Sequence, residues 1–225
     1  MVKQPMSQFV YQKLKTGIIE RKLAPGQKLV ENDISNSLSV SRTPIRQAFS
    51  KLQKEGFITI IPNRGAQVIN PTIDEITDAF THRKQLELLA TMDIMEKIKQ
   101  EDIDNLNILI QEEAEAFVKK DLVQYIHVNT KFHITLMGGC TNRFLKENAV
   151  KMINQTHIYL ILYDHFYKID EKNTRGSNEH KLMVNVIEKG DTGAFITLLD
   201  KHISSTIEEY KTRVKRFHHT SELFD

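Results

Sequence analysis

Residues 23–68 read LAPGQKLVENDISNSLSVSRTPIRQAFSKLQKEGFITIIPNRGAQV, and this stretch decides the fold of the first third of the chain. Ala24-Pro25-Gly26 turns the chain. Glu31 to Leu38 is a short amphipathic stretch with Ile34 and Leu38 on one face. Ser39-Val40-Ser41 is a tight connection, and Ser41 stands at the N-cap of a second helix, Arg42 to Glu55. Pro44 is tolerated there because an N–H in the first turn has no partner to lose. Gly56 ends the helix. Phe57 to Ile61 and Ala66 to Ile69 are extended runs joined by the turn Pro62-Asn63-Arg64-Gly65, which predicts a β-hairpin. Upstream, Phe9, Val10, Leu14, Ile18 and Ile19 recur at helical spacing and predict a helix over residues 8–22. The pattern is a helix-turn-helix followed by a wing, with Ile34, Leu38, Val40, Ile45, Phe49 and Leu52 as its core.

Charge agrees with that pattern. Residues 1–70 hold 11 Lys+Arg against 4 Asp+Glu, and residues 71–225 hold 20 against 25. A basic first third on an acidic remainder suits a polyanion binder joined to something else. In a helix-turn-helix the second helix enters the major groove of DNA with its N-terminal residues toward the bases. Arg42 and Arg46, four residues apart, share one face at the start of that helix. Gln47 is placed to reach an adenine, and Arg64 at the wing tip to reach a minor groove or a phosphate.

The chain has 225 residues, too many for one ordinary domain and enough for about two. Apolar residues are 40% and charged residues 27%, the balance of a globular protein. The longest apolar runs, such as Ile158 to Tyr163, fall far short of the roughly 20 residues a membrane span needs. MVKQPMSQFV carries no apolar signal region. The single cysteine, Cys140, excludes an internal disulfide and a zinc finger built on cysteine pairs. A cytoplasmic protein with no membrane partner is expected.

After Pro71 the pattern is helical throughout. Thr72 or Asp74 caps the first helix, and helices are expected at about 73–99, 102–118, 121–138, 142–168, 174–189 and 191–217. Short polar breaks separate them, so sequential helices are expected to pack as antiparallel neighbours. The expected architecture is mainly α: a winged helix-turn-helix over residues 1–70 and an all-α antiparallel bundle over 71–225, large enough for its own core.

Nine histidines occur in the chain. His218 and His219 are expected to be solvated, and His82, His127, His157 and His165 have no spacing partner. His180 and His202 each lie 11 residues from the turn at Asp191. In an antiparallel hairpin they stand side by side, both about 16 Å from that turn. Asn129 and His133 share one helix face. Histidines on facing helices can converge into a bundle metal site, for which imidazole suits zinc or nickel, with manganese possible given oxygen ligands. Spacing alone leaves that reading open beside ordinary polar or core histidines.

The stretch Leu23–Val68 closely resembles the winged-helix domain of the GntR family of bacterial transcription regulators. That family's pattern is roughly L-x-P-G-x-x-L-x-E, a short helix, V-S-R-T-P-V-R-E-A-L-x-x-L-x-x-E-G, and a wing ending in R-G. The helical remainder resembles, more loosely, the FadR-type (FCD) effector domain of the same family. The resemblance implies that Ser41, Arg42, Thr43, Arg46 and Gln47 line the DNA groove, with Arg64 and Gly65 at the wing tip. Asn32 stands where many relatives carry an Arg, so the operator preference is expected to differ. It further implies a divalent transition metal (zinc, nickel or manganese) held by an Asp and three His. Here those places fall on Asn129, His133, His180 and His202. Asn offers only a neutral carbonyl oxygen, so the site is expected to be net positive and to suit an anion. A small carboxylate over the metal is what relatives suggest. Arg83 and Glu87 match an R-x-x-x-E pair of the first helix, with Arg83 read either as a carboxylate partner or as an ordinary salt bridge. His157, Tyr159 and Tyr163 are candidates to line the same cavity, or core.

The expected function is a ligand-responsive regulator, a repressor and homodimer on double-stranded operator DNA, with a small carboxylate effector. The alternatives are a dedicated metal-ion sensor and, remotely, a metal-dependent enzyme. No H-E-x-x-H, G-x-S-x-G or P-loop is present. Glu179 beside His180 points about 100° away from it, which makes a poor general base.

Overall fold

The computed structural model describes residues 5–62, 64–163 and 175–214, and the chain divides into two compact units, Met1–Pro71 and Thr72–Asp225. His165, His218 and His219 lie outside the described residues.

The first unit runs α1 (Met6–Ile19), β1 (Lys28–Leu29), α2 (Glu31–Leu38), α3 (Arg42–Lys54), β2 (Ile58–Ile61) and β3 (Gly65–Val68). α1 packs on α3 and buries Val10, Leu14 and Ile18 against Ile45, Phe49 and Leu52. A polar strap ties the two helices. The Tyr11 hydroxyl donates to Glu55 at 2.8 Å and the Lys15 ammonium donates to the same carboxylate at 2.7 Å. In α2, Ile34 and Leu38 are half-buried rather than core, because only one side of this short helix is covered. Ser39 takes a left-handed conformation, φ 53°, which makes the tight turn into α3.

The hairpin β2–β3 gains a third strand that the sequence did not announce. β1 pairs antiparallel with β3, giving the order β1-β3-β2, with Leu29 opposite Ala66 and Ile60 opposite Ala66 from the other side. A two-residue strand has no periodicity to detect. Gly65 owes its identity to this pairing: its φ is +91°, and a Cβ there would sit 2.5 Å from the Leu29 carbonyl oxygen. Its place at the wing therefore has a folding reason.

The second unit opens with α4 (Ile73–Leu89), capped by Thr72 in a complete capping box with Glu75. α5 (Thr91–Lys97), α6 (Gln100–Val118), α7 (Leu122–Leu136), a 3-10 turn at Met137–Gly139, α8 (Arg143–Tyr163), α9 (Arg175–Glu188) and α10 (Thr192–Val214) follow. The expected single helix over 73–99 is two. The Thr91 hydroxyl bonds back to the Glu87 carbonyl at 3.4 Å, a contact that bends helices. α4, α8, α7, α6, α9 and α10 pack in that cyclic order, and α10 returns to α4. Sequential neighbours meet at α6–α7, α7–α8 and α9–α10, but α4 packs on α8 and α10, which pattern alone did not reveal. Phe80, Leu106, Phe132, Ile153, Met183 and Leu199 bring one residue each from these six helices into a single apolar cluster. No helix among the described residues is long and apolar enough to cross a membrane.

Candidate functional site

In the second unit His133 on α7, His180 on α9 and His202 on α10 converge, with one ring nitrogen of each within 4.8 Å of the others. All three are buried. Their opposite ring edges are held by carboxylates. His133 Nδ1 lies 2.7 Å from Glu87 of α4, His180 Nδ1 2.9 Å from Glu113 of α6, and His202 Nδ1 2.8 Å from Glu179 of α9. An ionised carboxylate only accepts, so each Nδ1 carries a proton, and in a neutral imidazole so held Nε2 keeps a lone pair. The inward contacts agree: His133 Nε2 and His202 Nε2 face each other at 3.3 Å, and the buried His180 Nε2 has no hydrogen-bond partner. Three lone pairs point into one space. Phe132 stacks on the His180 ring at 4.0 Å and fixes its plane.

The second layer is a charge network. Arg83 and Glu87, 3% and 0% exposed, form a buried ion pair one helical turn apart, and the Arg83 guanidinium also donates to Thr156 of α8 at 3.1 Å. Arg83 thus acts on His133 through Glu87. The Asn129 amide donates to Glu113 at 3.4 Å, so its described contact braces the carboxylate behind His180. Every helix of the ring contributes a residue. Burial pushes the Glu87 carboxyl up, but Arg83 and His133 outweigh it and hold the group at about 2. Burial pushes the His133 imidazole down to about 3 against the pull of Glu87, and burial lowers His202 as well. Glu113 also lies below its ordinary value, since His180 outweighs the burial that would raise it.

The net positive charge expected of the site took no account of its neighbours: three buried carboxylates and one guanidinium surround the three imidazoles, two formal negative charges in the surrounding groups. The sequence reading missed Glu113, and it weighed Glu179 only as a base for a reaction at His180. Glu179 instead reaches across to His202. One signal did exist for Glu113: it continues the buried stripe of Ile103 and Leu106 on α6 at helical spacing, where a charge needs a partner. His157 is not part of the cluster. Its Nδ1 meets Thr130 at 2.7 Å and its ring lies 6.4 Å from His127. Tyr159 hydrogen-bonds Gln155 and packs on the apolar core.

These shifts set a pH dependence for the metal-free protein. An unfolded histidine titrates near 6.5, and His133 and His202 titrate lower in the fold. Below about pH 6.5 the unfolded chain therefore binds more protons than the native one. Stability is fully present above that pH and falls as pH drops, by up to about 1.4 kcal/mol per pH unit for each group. The thermal midpoint is expected to decline steadily from pH 7 to pH 5; a flat profile there would contradict the buried neutral imidazoles.

In the first unit, Ser41, Arg42, Thr43, Arg46 and Gln47 are all exposed on the first turns of α3. Ser41 is the N-cap by backbone geometry, yet its side chain makes no cap hydrogen bond, which leaves the hydroxyl for an outside partner. A cleft of about 730 Å³ between α3 and the wing is lined by Glu31, Asn32, Arg42, Arg46, Arg64 and Gly65, among others. Three guanidinium groups on one cleft suit a polyanion.

The chain is thus a winged helix-turn-helix with three arginines on the cleft between α3 and the wing, followed by a helical ring around a histidine cluster. The description "Bacterial regulatory proteins, gntR family" matches residues 6–68, and the FCD domain matches residues 78–205. The chain belongs to the GntR family of bacterial transcription regulators, with an FCD domain as its second part, and it is not an enzyme. It is 26% identical over 188 residues to the HTH-type transcriptional regulator YdhC of Bacillus subtilis, covering 76% of this chain and 84% of that protein. It is 28% identical over 139 residues to the HTH-type transcriptional repressor RspR of Escherichia coli, spanning 61% of each. Escherichia coli McbR has the same fold, with TM-score 0.71 and 20% identity over 94% of this chain and 99% of that one. A GntR regulator from Rhodococcus gives TM-score 0.73 at 19% identity, covering 96% of this chain and all of that one.

Proposed function

We propose that this regulator binds a divalent transition metal through His133, His180 and His202 and couples occupancy of that centre to operator binding. One observation carries the reading: three Nε2 lone pairs converge in a buried space, two of them 3.3 Å apart, with every Nδ1 proton committed to a carboxylate. Lone pairs so placed repel one another unless a cation sits among them. Carboxylate–histidine–metal triads are the usual way proteins orient imidazole ligands. A divalent ion would also balance the two negative charges of the surrounding groups.

Three neutral nitrogen ligands leave coordination positions open. Asn129, one turn before His133, would supply a carbonyl oxygen, and a small carboxylate metabolite would take what remains. The pull on that anion comes from the ion itself, since the loaded site as a whole is neutral. Arg83 supports this region through Glu87. The protein acts as a homodimeric repressor, because winged helices of this kind read paired half-sites and a single module binds weakly. Effector binding then shifts the population between operator-competent and incompetent dimers. The test is a titration of small organic and sugar acids against metal-loaded and chelator-treated protein, read by thermal midpoint and by release of a DNA duplex enriched by the protein from a random pool. A response of the loaded protein alone supports the reading, and an equal response of both forms overturns it.

The charge balance also favours a second reading, in which the metal alone is the signal. DNA binding that switches with metal and ignores every carboxylate would select it.

At the DNA end, Arg46→Ala is expected to weaken specific binding by roughly one to two orders of magnitude while leaving the circular dichroism spectrum unchanged. Unaltered affinity for the enriched duplex would remove α3 as the reading helix.

A further inference from the structure

Arg46 is the one arginine of the α3–wing cleft that is engaged by a carboxylate. Its Nε donates to both oxygens of Glu31, each at 3.0 Å. Among the described residues Arg42 and Arg64, on the same cleft, form no ion pair. The two partners come from different elements, Glu31 from the first position of α2 and Arg46 from the second turn of α3. The carboxylate is recessed and the guanidinium projects: their side chains are 20% and 63% exposed. Among the described residues that line the cleft, Glu31 is the only acidic one.

A negative charge on a surface that must meet phosphates lowers affinity for every DNA sequence. It is useful only for what it does to the arginine. A free arginine samples many rotamers and pairs readily with any phosphate. With Nε held by Glu31, the Nη1/Nη2 edge on the far side of the planar group keeps its donors for an outside partner. That edge is a planar two-donor fork, which matches the O6 and N7 acceptors of guanine in the major groove.

We propose that Glu31 is a specificity-determining positioning residue, which holds Arg46 by Nε so that its terminal fork reads one guanine of the operator instead of a phosphate. The inference rests on α3 being the helix that enters the major groove. It assigns the two residues opposite apparent effects, Arg46 raising affinity for the operator and Glu31 lowering affinity for all other DNA.

The experiment is selection from a random duplex pool by the full chain, followed by binding of the enriched and the random duplex at several salt concentrations. Wild type, R46A, E31A and E31Q are compared, with thermal midpoints as a check on folding. Wild type is expected to enrich a guanine that R46A no longer selects. E31A is expected to lose preference at that same position by about 5- to 150-fold. Its binding to random duplex should rise, with the salt slope steeper by about one as Arg46 moves to a phosphate. E31Q keeps an acceptor oxygen for Nε and is expected to fall between wild type and E31A. It carries the test if E31A lowers the midpoint. Undiminished guanine preference in both Glu31 variants, with a uniform rise over all sequences, would show that Glu31 acts only as a repelling charge and overturns the proposal. Loss of no base preference in R46A would overturn the reading of α3 itself.

Discussion

Loading the untagged, chelator-treated protein with zinc, nickel or manganese is expected to raise its thermal midpoint by roughly 8–16 °C. A ligand present at a thousand times its Kd stabilises by about 4.1 kcal/mol. In a chain of this size each kcal/mol moves the midpoint by about 2–4 °C. Elemental analysis should find about one ion per chain before chelation. The double variant His180→Ala/His202→Ala should take up none and show no shift, because it removes two of the three converging nitrogens. No uptake by the wild-type protein of any of the three metals would reduce the histidines to core groups held by glutamates. The DNA-binding half of the molecule would be untouched by that result.

Glu87→Ala is expected to be among the most destabilising single changes in the second unit. It strands Arg83, 3% exposed, without its carboxylate, and it unties His133 Nδ1. Breaking a buried pair on one side costs about 3–5 kcal/mol. Loss of a carboxylate behind a ligating imidazole weakens metal binding by about 10- to 100-fold. Urea unfolding measures the first effect and metal competition the second. The double variant Arg83→Met/Glu87→Leu separates them: an apolar pair of similar volume should recover most of the stability and none of the metal affinity. A loss below about 1 kcal/mol in Glu87→Ala would show that Arg83 finds another partner, and the network described here would need redrawing.

The winged unit was legible because its determinants are local. Ser41, Pro44 and Gly56 mark helix ends by backbone chemistry, and Val10, Leu14, Ile45, Phe49 and Leu52 repeat with the helical period. Its misses came from contacts between elements. β1 spans two residues and exists only because β3 offers an edge, and the Glu31–Arg46 contact joins residues 15 apart on two helices. In the second unit, helix positions could be read but not their neighbours. The bend after α4 depends on one threonine hydroxyl, and the ring order depends on which apolar faces fit together.

The histidines show the division most plainly. Equal distances from the Asp191 turn were enough to set His180 beside His202, and their rings do lie 4.8 Å apart. Which carboxylate stands behind which imidazole was not readable, since Glu87, Glu113 and Glu179 sit 46, 67 and 23 residues from the imidazoles they hold. By itself the sequence determined the helix-turn-helix, the wing, the exposed arginines at the start of α3 and the convergence of the histidines, because helix periodicity, caps and turns act over a few residues. Only the tertiary structure decided the charge of the histidine site and the orientation of each ring. Those depend on groups brought together by packing across six helices, and a buried charge is set by whatever surrounds it in space.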